Sequence, residues 1–172
     1  MNYLLDGVET DRLLFRKISA VDLGEWLPFF ETPETSRYWV SVKEEPKIEC
    51  RKWYEKQAER YQNNKGGMNA LIEKASGKLM GHCGLLKQIV DNKEEIEIAY
   101  SLLPAYWNKG YATEAAIECR DYAFENKLSD SLISIISLTN IPSQKVAIKA
   151  GMHLDKTTFY NKNEVNIFRI IK

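Results

Sequence analysis

Apolar and polar positions change period several times along the chain, and each change marks a predicted element. Residues 12–18 alternate as a strand does, with Leu13, Phe15 and Ile18 offering side chains to different faces. Ser19 then stands as a helix cap with Asp22 in the first turn, and Leu23, Trp26, Leu27 and Phe30 repeat at helical spacing until Pro33. Residues 47–63 predict a second helix, with Ile48, Tyr54, Ala58 and Tyr61 along one side, stopped by Asn63, Asn64, Gly66 and Gly67. Residues 68–74 and 79–90 read as a hairpin across a turn at 75–78, and residues 91–94 make the next turn.

In residues 95–103, Ile96, Ile98 and Tyr100 alternate with Glu97, Ala99 and Ser101, as in a half-buried strand, and Pro104 ends it because it cannot donate to a ladder. Residues 110–126 carry Ala112, Ala115, Ala116, Cys119, Tyr122 and Ala123 at helical spacing, the clearest helix in the chain. Residues 132–138 form an apolar run suited to a buried strand, and residues 142–150 a short helix with Pro142 early and Gly151 just after. Two late strands, 153–160 and 165–171, close the sheet. Helices that interrupt the strands, rather than alternating with them throughout, predict a mixed α/β fold and not a doubly wound one.

Composition narrows the class. At 172 residues, 44% hydrophobic and 28% charged, the chain has the balance of one globular domain spanning 1–172. Lysine plus arginine equals aspartate plus glutamate at 24 each, so no net field favours nucleic acid or an anionic membrane. Asp6, Glu9 and Asp11 do not fit a secretory signal, and no apolar run approaches the roughly 18 residues of a membrane span. Cys50, Cys83 and Cys119, odd in number and far apart, fit reduced thiols in a cytoplasm. His82 and Cys83 point to opposite faces of a strand and would not converge on an ion, so no metal is expected. His82 reads as a strand-surface histidine, and Cys119, on the apolar helix face, as a buried inert thiol.

The strongest local chemical signal is the run from Trp107 to Ala115, between the strand that stops at Pro104 and the patterned helix. A strand, a glycine-bearing turn and a helix start make an anion cradle, because the free N–H groups of the first turn and the positive helix end face the same ligand. Asn108, Lys109 and Gly110 also suit an ordinary turn entering a core helix. The P-loop and the three-glycine dinucleotide fingerprint are both absent.

With Gly110 and Ala112 this run resembles the pyrophosphate loop of the GNAT superfamily, which reads Arg or Gln, two residues, Gly, one residue, then Gly or Ala. Trp107 replaces the usual Arg or Gln, a variant seen in the branch that contains the ribosomal-protein alanine N-acetyltransferases. Thr10 to Leu13, Gly81, Gly84, the stretch from Glu97 to Leu102, and Asn140, Ser143, Val146, Ala147, Lys149 and Gly151 are similar to that branch in the same order. The resemblance implies a single domain with a twisted, mostly antiparallel mixed sheet of about seven strands and about four helices. It also implies acetyl-CoA as co-substrate, its arm between splayed fourth and fifth strands. Ile98, Tyr100 and Leu102 would then line the thioester side, and Lys109, Gly110, Tyr111, Ala112 and Thr113 the pyrophosphate, with Asn140, Ser143 and Lys149 completing the cofactor site. No metal, nucleic acid or membrane is implied, and the protein would be a monomer or homodimer.

Amine acetylation needs a neutral nucleophile, an oxyanion donor and a proton for the leaving thiolate. By resemblance Glu97 is the general base and Ser143 the donor to sulfur; a tyrosine common one turn later in related enzymes is here Ala147. Glu97 also suits an exposed position beside Glu94 and Glu95, and Asn140 also suits a cap for the following helix. Trp39, Trp53, Tyr54 and Tyr61 belong to the acceptor cleft or the core. Neutralising the acceptor at pH 7 costs about 1.4 kcal/mol for an α-amine and about 4.6 for lysine, so a protein or peptide N-terminus asks less of the base, with small-molecule amines as further acceptors. The reading from a different class is a non-catalytic acyl-CoA-binding regulatory module.

Overall fold

The computed structural model describes residues 2–172. Strand β1 (Leu13–Lys17) is followed by helices α1 (Leu23–Glu31), α2 (Pro33–Ser36) and α3 (Pro46–Gln62). Strands β2 (Gly66–Glu73), β3 (Leu79–Val90) and β4 (Lys93–Leu102) lead to α4 (Tyr111–Glu125), β5 (Ser131–Ser137), α5 (Ile141–Lys149), β6 (His153–Tyr160) and β7 (Asn163–Ile171). The strands form one seven-stranded sheet ordered β1-β2-β3-β4-β5-β7-β6, antiparallel except where β4 meets β5. The described residues form five α-helices, in line with the about four expected; the extra one is the four-residue α2, where Pro33 restarts the chain as a helical N1 residue.

Turn chemistry fixes the sheet register. Asp91 and Asn92, at φ 49° and 64°, occupy the two left-handed positions of a tight hairpin turn, so the turn is shorter and β4 longer than the alternation suggests. Asn161 and Lys162 do the same between β6 and β7. At the chain's entry to α1, Ser19 N–H donates to the Asp22 carboxylate at 2.8 Å, as its capping pattern predicts, and Arg16 grips both Asp22 oxygens at 2.6 and 2.8 Å.

The sheet is buried on both faces. On one, α4 and α5 cover Leu13, Phe15, Leu71, Leu85, Ile98 and Leu132. On the other, α1 and α3 bury Trp26, Cys50 and Tyr54 over Ala70 and Leu79. Each large apolar side chain so removed from water contributes ~1.5–3 kcal/mol. Two sequence expectations are corrected here. Leu13 and Phe15 share one face, as residues two apart in a strand must, while Ile18 joins the other cluster. The inward side of α3 is Cys50, Tyr54 and Gln57, with Ile48 and Ala58 exposed, because Gln57 earns its buried place by accepting the Met68 N–H at 2.9 Å.

His82 is the third correction. It is fully buried beneath α1 and α3, its ring 4.3 Å from Trp26 and 4.6 Å from Trp53, and neither ring nitrogen has a hydrogen-bond partner among the described residues. Burial, only partly offset by the nearby Asp22, depresses its pKa to about 3, so it is neutral across ordinary pH. Cys83 points to the opposite face and meets Cys119 of α4, Sγ to Sγ 3.5 Å. Burial raises the Cys119 thiol well above its usual pKa, as an inert core thiol requires.

Candidate active site

A parallel pair of strands normally shares a continuous ladder, yet β4 and β5 are joined by a single bridge, Glu97 to Ile133. Beyond it Ser134 Oγ still reaches the Ile98 carbonyl at 2.7 Å, and Trp107 Nε1 closes the far end by donating to the Leu102 carbonyl at 2.8 Å. Strand alternation then turns the N–H and C=O of Tyr100, midway between them, into the gap. The opened strands bound a cavity of about 980 Å³ whose walls include Ile98, Tyr100 and Leu102 on β4 and Ser134 to Ser137 on β5. An extended chain with its own amide groups fits such a gap.

The start of α4 forms one end of the cavity. Gly110 is its N-cap at φ 82°, a left-handed conformation that L side chains rarely adopt, and Gly110 O accepts from Glu114 N–H at 3.0 Å. Tyr111, Ala112 and Thr113 supply the N–H groups that every helix start leaves unpaired, and all three line the cavity. Those donors and the helix dipole suit a pyrophosphate. Lys149, in the last turn of α5, lines the same end and offers a cation. Lys109 is the exception among the predicted cofactor residues. It lies outside the cavity wall, its ammonium 5.9 Å from the Tyr106 ring and its carbonyl accepting from Arg12 Nη1 at 3.0 Å.

The loop is braced by residues whose role the sequence left unassigned. Glu114 accepts from Thr10 Oγ1 at 2.6 Å, from Arg12 N–H at 3.0 Å and from Arg12 Nε at 2.6 Å. Burial alone would raise its pKa, but these donors outweigh that and hold the carboxyl below its usual value. Tyr111 donates to Glu73 at 2.7 Å while Arg12 lies 4.1 Å over its ring, so its side chain anchors the loop. We expect Gly110→Val to weaken acetyl-CoA binding by about 10-fold or more, since a β-branched residue must distort the cap that aims these donors. Calorimetric titration of the folded variant, with equal affinity as the contrary result, checks this.

Glu97 sits where the strands part. It is 8% exposed rather than solvated, and Gln88 Nε2 donates to its carboxylate at 2.7 Å. Burial raises its pKa, with Gln88 and Arg60 opposing. The carboxyl therefore stands closer to neutrality than an exposed glutamate and still borders the cavity. Across the gap, Asn140 caps α5 by accepting Ser143 N–H at 3.2 Å, so the capping role is realised, while the residue also lines the cavity. Ser143 Oγ donates to Tyr100 Oη at 3.2 Å, and Tyr100 Oη donates to the Ser143 carbonyl at 2.8 Å. A tyrosine hydroxyl from β4 thus lies one helical turn from Ala147, a tertiary convergence that no local pattern signals. Trp39 and Trp53 line the other end of the cavity, Tyr54 belongs to the core, and Tyr61 donates to the Met68 carbonyl. Among the described residues no cluster of three or more His, Cys, Asp or Glu can hold a metal ion, and no helix is long and apolar enough to cross a membrane.

Comparison with known proteins bears on the family and the fold. The model of the acetyltransferase (GNAT) domain matches residues 12–153. The uncharacterized protein YkkB of Bacillus subtilis (strain 168) is 32% identical over 152 residues, covering 86% of each chain. The crystal structure of an acetyltransferase from Agrobacterium tumefaciens str. C58 superposes with a TM-score of 0.81 at 21% identity, over 100% of this chain and 98% of the other. The ribosomal-protein-S5-alanine acetyltransferase of Vibrio fischeri superposes at 0.73 with 16% identity, over 95% of each chain. At these identities the two structures speak for the fold.

Proposed function

From the chain's membership of the GNAT acetyltransferase family, which takes acetyl-CoA as co-substrate, we propose that it acetylates a primary amine by direct attack in a ternary complex. The observation that carries this is the buried Glu97 at the point where β4 and β5 separate, bordering the same cavity as the start of α4.

Acetyl-CoA supplies an activated thioester carbonyl; the rest is the work of this chain's residues. The N–H groups of Tyr111, Ala112 and Thr113, with Lys149, hold the phosphate end. Ile98, Tyr100 and Leu102 flank the arm, Asn140 and Ser143 face it from α5, and the Tyr100 N–H is a donor for charge developing on a carbonyl oxygen. Glu97, its basicity raised by burial, accepts the proton of the incoming ammonium. The Ser143 and Tyr100 hydroxyls, already paired at 3.2 Å, rotate to hydrogen-bond the departing sulfur. Cys83 and Cys119 take no part, because both are buried in the core away from the cavity wall.

Initial velocities measured while varying acetyl-CoA and amine together test the ternary route. Intersecting double-reciprocal lines, with no acetyl group left on the protein by mass spectrometry, are the expected result. Parallel lines and an acetylated enzyme would replace it with a covalent route.

A further inference from the structure

The acceptor end of the cavity is unlike the cofactor end. Phe29 of α1, Tyr38 and Trp39 from the segment after α2, and Trp53 of α3 line it, and Glu97 of β4 borders the same cavity. Two of these rings are fixed from behind. Phe29 stacks on the buried Trp26, centroids 4.3 Å apart and planes 16° apart, and Trp53 packs against Tyr54 at 5.1 Å and His82 at 4.6 Å. A wall of rings on a rigid platform offers faces for stacking and a negative π-surface for a cation at little entropic cost.

The end is also strapped. Val40 N–H donates to Asn163 Oδ1 at 2.8 Å, and Asn163 Nδ2 returns a bond to the Val40 carbonyl at 3.4 Å. Asn163, at the start of β7, is itself buried, so the segment carrying Trp39 is tied from α2 across to the β6–β7 hairpin. Recognition of a peptide backbone needs a row of unpaired donors and acceptors along an open groove. Here the Gln57 carbonyl oxygen is committed to Met68 N–H, and the Arg37 guanidinium lies 4.7 Å over the Tyr38 ring while donating to its hydroxyl at 2.6 Å.

We infer that the acceptor is a small primary amine carried on an aromatic body, an arylalkylamine, seated between Trp39, Trp53 and Phe29 with its nitrogen at Glu97. The inference rests on the acetyltransfer reading above and adds the substrate class. The product is the corresponding N-(arylalkyl)acetamide: the amine's lone pair forms the C–N bond as the C–S bond breaks, the ammonium's first proton having passed to Glu97 and the second N–H proton going to the departing thiolate, which leaves as coenzyme A.

The test compares phenethylamine and tryptamine with putrescine, glucosamine and an alanine-initiated peptide at saturating acetyl-CoA, for the wild type and for Trp39→Ala and Trp53→Ala. We expect kcat/KM for the aryl amines to exceed the others by roughly 10-fold or more, and each variant to lower it by a similar factor without changing the KM for acetyl-CoA. Trp39 is 37% exposed on a loop, so its variant reads recognition rather than folding. Equal rates for all amines, a preference for the peptide, or unaltered aryl-amine kinetics in Trp39→Ala would overturn the substrate class while leaving acetyltransfer standing. Acetylation of none of the panel, with acetyl-CoA still raising the Tm, would overturn both.

Discussion

Glu97→Gln lowers kcat by ~10²-fold or more while leaving the affinity for acetyl-CoA unchanged, the signature of losing a general base rather than a binding contact. The amide keeps the size of the side chain and can still accept from Gln88, so packing at the mouth of the split is preserved. In the wild type, activity rises with pH through a group whose pKa lies above the ordinary carboxylate value, and the variant loses that rise. Stability moves the other way. Because the folded protein holds the Glu97 proton more tightly than the unfolded chain does, ionising it at neutral pH destabilises the fold. The variant is therefore more stable at neutral pH, and the gain vanishes in acid, where both states are protonated. A structural glutamate would show the reverse pairing of effects. Steady-state kinetics and denaturant titrations across pH check both halves.

Acid weakens the fold through His82. With its pKa held at about 3 by burial, the folded protein refuses a proton that the unfolded chain accepts below its ordinary value of 6.5. The unfolded state binds more protons throughout that window, so stability is full above pH 6.5 and falls as pH drops toward 3, by on the order of 4 kcal/mol in total. Arg16 opposes protonation and Asp22 favours it, but burial exceeds both. His82→Phe keeps an aromatic ring against Trp26 and Trp53 and removes the titration. Its absolute stability depends on packing, but the steepness of its decline between pH 6.5 and 3 is expected to be visibly less than the wild type's. Urea unfolding at several pH values reads that slope, and parallel slopes in the two proteins would show that His82 carries little of it.

Much of this architecture was legible because local periodicity and tertiary burial agree. Helix α4 announces itself through Ala112, Ala115, Ala116, Cys119 and Ala123, of which the last four are buried. The end of β4 follows from Pro104, while its start, placed at residue 95 by the alternation, lies at Lys93 because Asp91 and Asn92 turn left-handed in a two-residue turn. Where burial depends on a partner, the pattern misleads. Gln57 and His82 are polar residues in the interior, one held by a backbone N–H from β2 and the other wrapped in rings from two helices. Neither environment is encoded within a few residues of the position. The turn at Gly110 and the helix start after it were readable, but their brace joins Thr10 and Arg12 to Glu114, more than a hundred positions away. Likewise, Glu97 was identifiable only as a carboxylate on a strand until folding buried it at the separation of β4 and β5, and Tyr100 reaches Ser143 only through the sheet and α5. Chemistry-bearing residue types are local information; their environments, which set pKa and role, are not.

Incubating the protein with acetyl-CoA and an amine, and quantifying free thiol and acetylated amine together, tests amine acetylation outright. Both are expected in equal amounts, with thiol release dependent on the amine. Thiol without amide, or neither product from a protein that acetyl-CoA demonstrably stabilises, would contradict amine acetylation and leave a chain that holds the coenzyme without passing its acetyl group to nitrogen.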